Sequence, residues 1–222
     1  ALHIFKPRNM QAGEKRPAIV YFFGGGWKLG SPIQFYRECA YYASKGMIAV
    51  SVDYRIGYLH HSTPFESFED AKDAICWLRS HASDYQLDPD KIAVAGGSAG
   101  GHLAAALGTI GSDETVPAGY RPNLSVLYYP VIDMVSRGYG FPEIKRDFEK
   151  ISPIHHVSEA TPSTLILLGT KDPIVSVETI EAYQDKLLQK GVDCELHLFE
   201  GAGHPIFLYR KPLTEEYYKV RK

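Results

Sequence analysis

The chain has 222 residues, of which 45 % are hydrophobic, 23 % charged and 12 % aromatic; this supports a folded domain with a sizeable core and excludes intrinsic disorder. With 24 Lys and Arg against 26 Asp and Glu the net charge is −2 and no basic stripe is present, so a nucleic-acid partner has no electrostatic footprint. The apolar runs, such as 92–95, 165–168 and the longer 18–23, fall far short of the roughly 18 residues a membrane-spanning helix takes, so no membrane partner is expected.

The chain begins at Ala1 rather than Met and enters a strand pattern at once, over Leu2–Phe5. A natural N-terminus further upstream is therefore expected, and the compartment, cytoplasmic or exported, goes unread. A second strand pattern, 18–23, runs into Gly24, Gly25, Gly26 and Trp27. A third, 48–53, runs into the tripeptide Asp53, Tyr54, Arg55. Beyond it Phe68, Ala71, Ile75 and Leu78 recur at helical spacing, with Glu69, Asp70, Lys72 and Asp73 between them. The strand 92–95 passes through Gly96, Gly97, Ser98, Ala99 and Gly100 into an Ala-rich helix.

The strand 125–129 precedes a polar stretch, 133–157, rich in Gly and Pro and without a clear period, which has the texture of a short lid or cap insertion. The strand 164–168 is followed by Asp172 and then by a helix over 176–189, with Ile180, Tyr183 and Leu187 on one face and Gly191 as its stop. A last strand, 194–199, leads to His204.

Strands that alternate with amphipathic helices, several of them continuous apolar runs, predict an α/β fold: a mostly parallel central sheet with helices on both faces. No repeat, low-complexity tract or long linker divides the chain, so a single domain over 1–222 is expected. Cys39, Cys76 and Cys194 are odd in number and far apart, which argues against a disulfide framework or a structural zinc site and predicts buried free thiols.

The sequence IAVAGGSAGGHL carries the sharpest chemical signal. It is G-x-S-x-G between a buried strand and a helix, the context in which a tight turn projects a serine hydroxyl out of the sheet. Neither G-x-G-x-x-G nor GK[ST] is present, so nucleotide binding drops out. A nucleophilic Ser98 calls for an acid and then a histidine on loops after later strands. Asp172 and His204 occupy those places, with Asp133 as the competing acid.

His102, one turn beyond Ser98, suits packing or hydrogen bonding better than base catalysis. The adjacent pairs His60, His61 and His155, His156 point apart and make no convincing metal site, so neither metal nor cofactor is expected. Gly25, Gly26 and Ala99 are the candidate oxyanion-hole amides, and Trp27 and Tyr129 the candidate substrate-pocket walls, although an aromatic at a strand end is more often core.

Taken together, these motifs resemble the α/β-hydrolase superfamily and, within it, the esterase and lipase group related to hormone-sensitive lipase. The resemblance runs over nearly the whole chain: GGGW at 24–27, DYR at 53–55, GGSAGG around Ser98, GTKD around Asp172 and GAGH around His204. It implies an α/β-hydrolase fold with a minimal cap, a Ser98, His204, Asp172 triad, and oxyanion donation from Gly25, Gly26 and Ala99. The short form is similar to bacterial acetyl xylan and feruloyl esterases, which implies a small-molecule or carbohydrate ester as substrate.

The sequence departs from the group at Phe23, where a histidine usually precedes the glycines. An amide-cleaving relative, arylformamidase or oligopeptidase-like, would use the same residues, and a catalytically silent binding module would share the fold. The oligomeric state is not legible.

Overall fold

A computed structural model describes residues 1–111, 118–134 and 147–206. Its centre is a seven-stranded sheet: β1 (Leu2–Phe5), β2 (Arg16–Phe22), β3 (Ile48–Val52), β4 (Leu87–Gly97), β5 (Leu124–Tyr128), β6 (Thr164–Gly169) and β7 (Cys194–Phe199). The spatial order is β1-β3-β2-β4-β5-β6-β7, and every pair is parallel except β1 with β3. The predicted parallel sheet is thus present, and each predicted strand lies within a few residues of its place.

One boundary differs. β4 begins at Leu87, five residues before the apolar run, because Leu87 pairs with Arg16 at the start of β2 before a register shift leads into the buried segment.

The six helices are α1 (Tyr36–Ser44), α2 (Gly57–His60), α3 (Pro64–Ser80), α4 (Ala82–Tyr85), α5 (Ala99–Thr109) and α6 (Val177–Gln189) among the described residues. Right-handed crossovers place α1, which steps from β2 back to β3, on one face of the sheet, and α3, α5 and α6, which step the other way, on the opposite face. Local chemistry sets their ends. Thr63 accepts the Phe65 N–H and Glu66 accepts the Thr63 N–H at 2.7 Å, a capping box that starts α3 just before Pro64. Ser176 caps α6, and Gly191, at φ +72°, turns the chain after it.

The core sits on both sides of β2, β3 and β4, where 18–22 and 48–52 are buried throughout. α5 is buried along its whole length, an Ala-rich rod between the sheet and α3. The thiols are free, but only Cys39 is buried: Cys194 is half-buried and Cys76 stands on the exposed side of α3. The helical phase explains the correction, since Ile75 and Leu78 face the sheet and Cys76 is turned about 100° from Ile75.

Of the stretch 133–157, residues 135–146 lie outside those described. Its later part forms two 3₁₀ turns, Phe148–Ile151 and Pro153–His155; Ile151, Ile154 and Ser152, which lies between the turns, are buried against the body of the domain. No described helix is long and apolar enough to cross a membrane.

Backbone approach is tightest where β2, β4 and α5 meet: a Cβ on Gly100 would lie 2.0 Å from the Phe22 carbonyl oxygen. Gly100→Ala is therefore expected to lower unfolding free energy by about 3 kcal/mol or more, or to abolish folding. Gly191→Ala, which enters open space at positive φ, should lose only about 1 kcal/mol. Urea denaturation of the two variants beside the parent checks the contrast, and equal losses would contradict this packing.

Candidate active site

The turn after β4 is severe. Ser98 sits at φ 55° and ψ −118°, a region that a residue with a side chain occupies only under constraint. Its N–H donates to the Tyr128 carbonyl at 3.0 Å, and its own carbonyl accepts from the N–H groups of His102 (2.9 Å) and Val131 (3.3 Å). Small neighbours make the turn possible, since a Cβ on Gly96 would meet the Gly100 carbonyl oxygen at 2.3 Å. The side chain is thereby lifted above the C-terminal end of the sheet.

From that position Ser98 Oγ lies 2.9 Å from His204 Nε2, and His204 Nδ1 lies 2.7 Å from Asp172 Oδ2. A carboxylate only accepts, so the proton is on Nδ1, and Nε2 is left as the acceptor for the serine hydroxyl. The Asp172 side chain is fully buried. Its other oxygen, Oδ1, accepts the N–H groups of Ile174 (2.8 Å) and Val175 (3.0 Å). Asp172 thus both holds its own loop and orients the histidine, and His204 pairs with it rather than with Asp133.

The loops that carry the two residues are sewn together. Lys171 N–H donates to the Ala202 carbonyl, Gly201 N–H to Thr170 Oγ1, and Gly169 has no room for a side chain against Ala202. Tyr129 packs edge-on against the His204 ring, with centroids 4.6 Å apart, and is 2 % exposed. It is a platform for the imidazole rather than an open wall.

The glycine loop arrives from β2 beside Ser98. A Cβ on Gly24 would stand 3.4 Å from Ser98 Cβ, and Gly25, at φ +136°, runs against the Leu29 carbonyl, where a Cβ would be 2.1 Å away. Phe23 fills the place of the usual histidine and forms no side-chain hydrogen bond; its ring stacks on Tyr54 at 4.1 Å. Two residues that the sequence did not single out for this loop hold it: Tyr54 Oη donates to the Phe23 carbonyl (2.6 Å) and Gln34 Oε1 accepts the Gly24 N–H (2.6 Å).

Within the tripeptide 53–55, Tyr54 is the residue bound to the glycine loop. Arg55 instead ties the start of the next segment to Asp70, at 2.7 Å.

Trp27 corrects an expectation. Its side chain is 1 % exposed and meets the His102 ring edge-on at 5.1 Å, so it is core beneath the loop rather than an open wall. The positive φ of Trp27, 56°, turns the ring inward. The residues after it face outward: a groove of about 530 Å³ is lined by Lys28, Leu29, Tyr58, His61 and Thr63, with Leu29 and Tyr58 largely exposed.

His102 is fully buried, donates through Nε2 to the Ile151 carbonyl at 2.7 Å, and by loss of hydration has its pKa pushed down to about 4. It is a neutral strut between α5 and the 3₁₀ turn.

The chain matches the BD-FAE family over residues 2–140. It is 29 % identical to the esterase LipC of Mycobacterium tuberculosis, covering 91 % of this chain and 56 % of that one. With the acetylxylan esterase of Xylanibacter ruminicola the identity is 26 %, over 84 % of this chain and 40 % of that one. The chain therefore spans about half the length of these curated relatives.

Among solved structures, the propionate-bound Est2 esterase of Thermogutta terrifontis superposes with a TM-score of 0.88 at 37 % identity, covering 99 % of this chain and 85 % of the other. The same esterase phosphorylated by paraoxon gives 0.89, at 37 % identity over 99 % and 84 % of the two chains. The fold is that of the α/β-hydrolases.

The depressed His102 pKa has a signed consequence. Above about pH 6.5, His102 is neutral in both folded and unfolded chains; between there and about pH 4 only the unfolded chain takes up its proton. Stability should therefore fall with pH across that window, by on the order of 3 kcal/mol from this group. Urea midpoints at pH 7 and pH 4 should differ less in His102→Gln than in the parent; an equal drop in both would remove His102 as the cause.

Proposed function

The chain is a member of the BD-FAE family, and from that premise we propose that it is a cofactor-free serine hydrolase of carboxylic esters. The observation that carries the reading is the unbroken hydrogen-bonded line from Ser98 Oγ through His204 to Asp172, with both separations under 3 Å.

In this mechanism Ser98 Oγ attacks the ester carbonyl as His204 Nε2 takes its proton. Asp172 stabilises the imidazolium, and the N–H groups of Gly25, Gly26 and Ala99 receive the negative oxygen. His204 then protonates the departing alcohol. Water, deprotonated by His204 in turn, releases the acid from the acyl-enzyme.

Ala99 opens α5, a helix with no acidic residue in its first turn, so the positive end of the helix dipole adds to the donors. The kinship with an esterase that takes paraoxon's phosphoryl group and has been seen with propionate supports an activated serine and a small acyl group. The acetylxylan esterase among the relatives supports an acylated carbohydrate, with acetyl or feruloyl as the group removed. The open groove at Leu29 and Tyr58, which adjoins the glycine loop through the Leu29 N–H bond to the Gly25 carbonyl, supports room for the rest of such a substrate.

Hydrolysis of p-nitrophenyl acetate at about pH 8 tests the reading. Ser98→Ala should lose at least about 10⁴-fold in kcat, and Asp172→Asn, which leaves His204 in the wrong tautomer, about 10⁴-fold. A fluorophosphonate should label the parent and leave Ser98→Ala unlabelled. Turnover that survives in Ser98→Ala would remove the serine from the mechanism. Cleavage confined to anilides or formamides would favour the amidase relatives, and an unlabelled parent would favour a silent binding module. Release of acetate from acetylated xylan, set against release of ferulate from feruloylated sugars, separates the two acyl groups.

A further inference from the structure

The Phe23 carbonyl and the Gly24 N–H belong to one peptide group, and both of its polar ends are held by side chains from other parts of the fold. Tyr54, beyond the end of β3, donates to the oxygen at 2.6 Å; Gln34, in the 3₁₀ turn Pro32–Phe35, accepts from the nitrogen at 2.6 Å. Neither holder is free to drift. Tyr54 is 1 % exposed and stacked on Phe23. The turn that carries Gln34 is fixed on one side by a buried bond from Ser51 Oγ to the Pro32 carbonyl (2.8 Å) and on the other by Phe35, buried against Tyr21 at 4.8 Å. The Gly24 N–H can only donate, so Gln34 must turn its oxygen toward the loop and its amino group away.

We propose that Tyr54 and Gln34 are positioning residues that clamp the 23–24 peptide plane, and that this clamp sets the direction of the Gly25 N–H in place of the histidine that Phe23 replaces. The inference rests on the ester-hydrolase reading. Glycines have no side chain to resist rotation. The Gly25 carbonyl, which shares a peptide plane with the Gly26 N–H, is held by the N–H groups of Lys28 (3.1 Å) and Leu29 (3.0 Å), so the plane carrying the Gly25 N–H is confined from both sides only when the 23–24 peptide is fixed as well. An oxyanion hole works by orientation set before reaction, and donors that must be ordered during it contribute less. Pinning both ends of the first plane leaves its orientation no low-energy alternative, because a flip breaks two hydrogen bonds, one of them buried. A Cβ added at Gly24 would stand 3.4 Å from Ser98 Cβ, so the clamped plane adjoins the reacting centre.

The test uses Gln34→Met, which keeps the length and loses the acceptor, and Tyr54→Phe, which keeps the stack on Phe23 and loses the donor. For p-nitrophenyl acetate each should lower kcat about tenfold and leave KM within about twofold. A trifluoromethyl ketone, which forms a tetrahedral oxyanion on an activated serine, should bind each variant more weakly by the same factor. Activity is expressed per active site, counted by titration with an organophosphate, so that misfolded protein is excluded from the comparison.

Parallel losses in kcat and in ketone affinity are expected. Unchanged kcat per site in both variants would overturn the clamp while leaving the ester-hydrolase reading intact, as would a loss of kcat with ketone affinity unchanged. A parent without Ser98-dependent turnover would overturn both.

Discussion

The contact on which the rest of the site depends is the one between backbones at the crossing of β2, β4 and α5. A methyl group on Gly100 would stand 2.0 Å from the Phe22 carbonyl oxygen, and one on Gly96 would meet both Gly100 and Phe22. Removal of side chains at these points lets the helix after Ser98 press against the end of the neighbouring strand. The continuation of that strand is the glycine loop, so the same contact brings the serine and the glycine amides together from two separate turns. Any larger residue would move the turns apart, and a displacement of about 1 Å is enough to cost a reaction on the order of 100-fold.

The remaining distances are set by strand register. Ser98 leaves β4, Asp172 follows β6 and His204 follows β7, so the hydrogen-bonded line is only as well placed as the parallel ladders between those strands. A slip of one residue displaces a strand end by about 3.3 Å, far more than a 2.7 Å or 2.9 Å hydrogen bond tolerates. Register here is held by apolar pairs such as Val126 with Leu165 and Ile166 with Leu196, and by the β6 and β7 loops, which bond to each other before they reach the site. The hydrophobic core fixes the spacing at which the polar groups meet.

Most of this was legible because its signals are local. A buried strand ending in glycine, a serine on the turn and an Ala-rich helix are contiguous in the chain; Asp172 and His204 stand out because each follows a strand. What escaped the sequence depends on contacts between distant segments. Nothing around Gln34 announces that its oxygen will meet Gly24, and nothing in the tripeptide 53–55 announces that the buried Tyr54 will bond to the loop. Trp27 and Cys76 were misplaced for a related reason: composition says that an aromatic is near a strand end or that a thiol is apolar, while φ and helical phase decide which way each points.

Ser98 shows what the site gives up locally. A serine preceding the first turn of a helix ordinarily turns its hydroxyl onto the N–H groups of that turn, an arrangement worth about 1 kcal/mol. Ser98 occupies that position at α5 and makes no such bond; its hydroxyl faces His204. The backbone is strained as well, by about 1–3 kcal/mol for a residue held at such angles. Both sacrifices act in one direction. They leave Ala99 at the positive end of a wholly buried helix with no serine oxygen and no first-turn carboxylate to neutralise it, where a developing negative charge gains most. The fully buried Ala-rich body of α5 is what makes the strain affordable, because its packing holds the turn closed whether or not the cap is made.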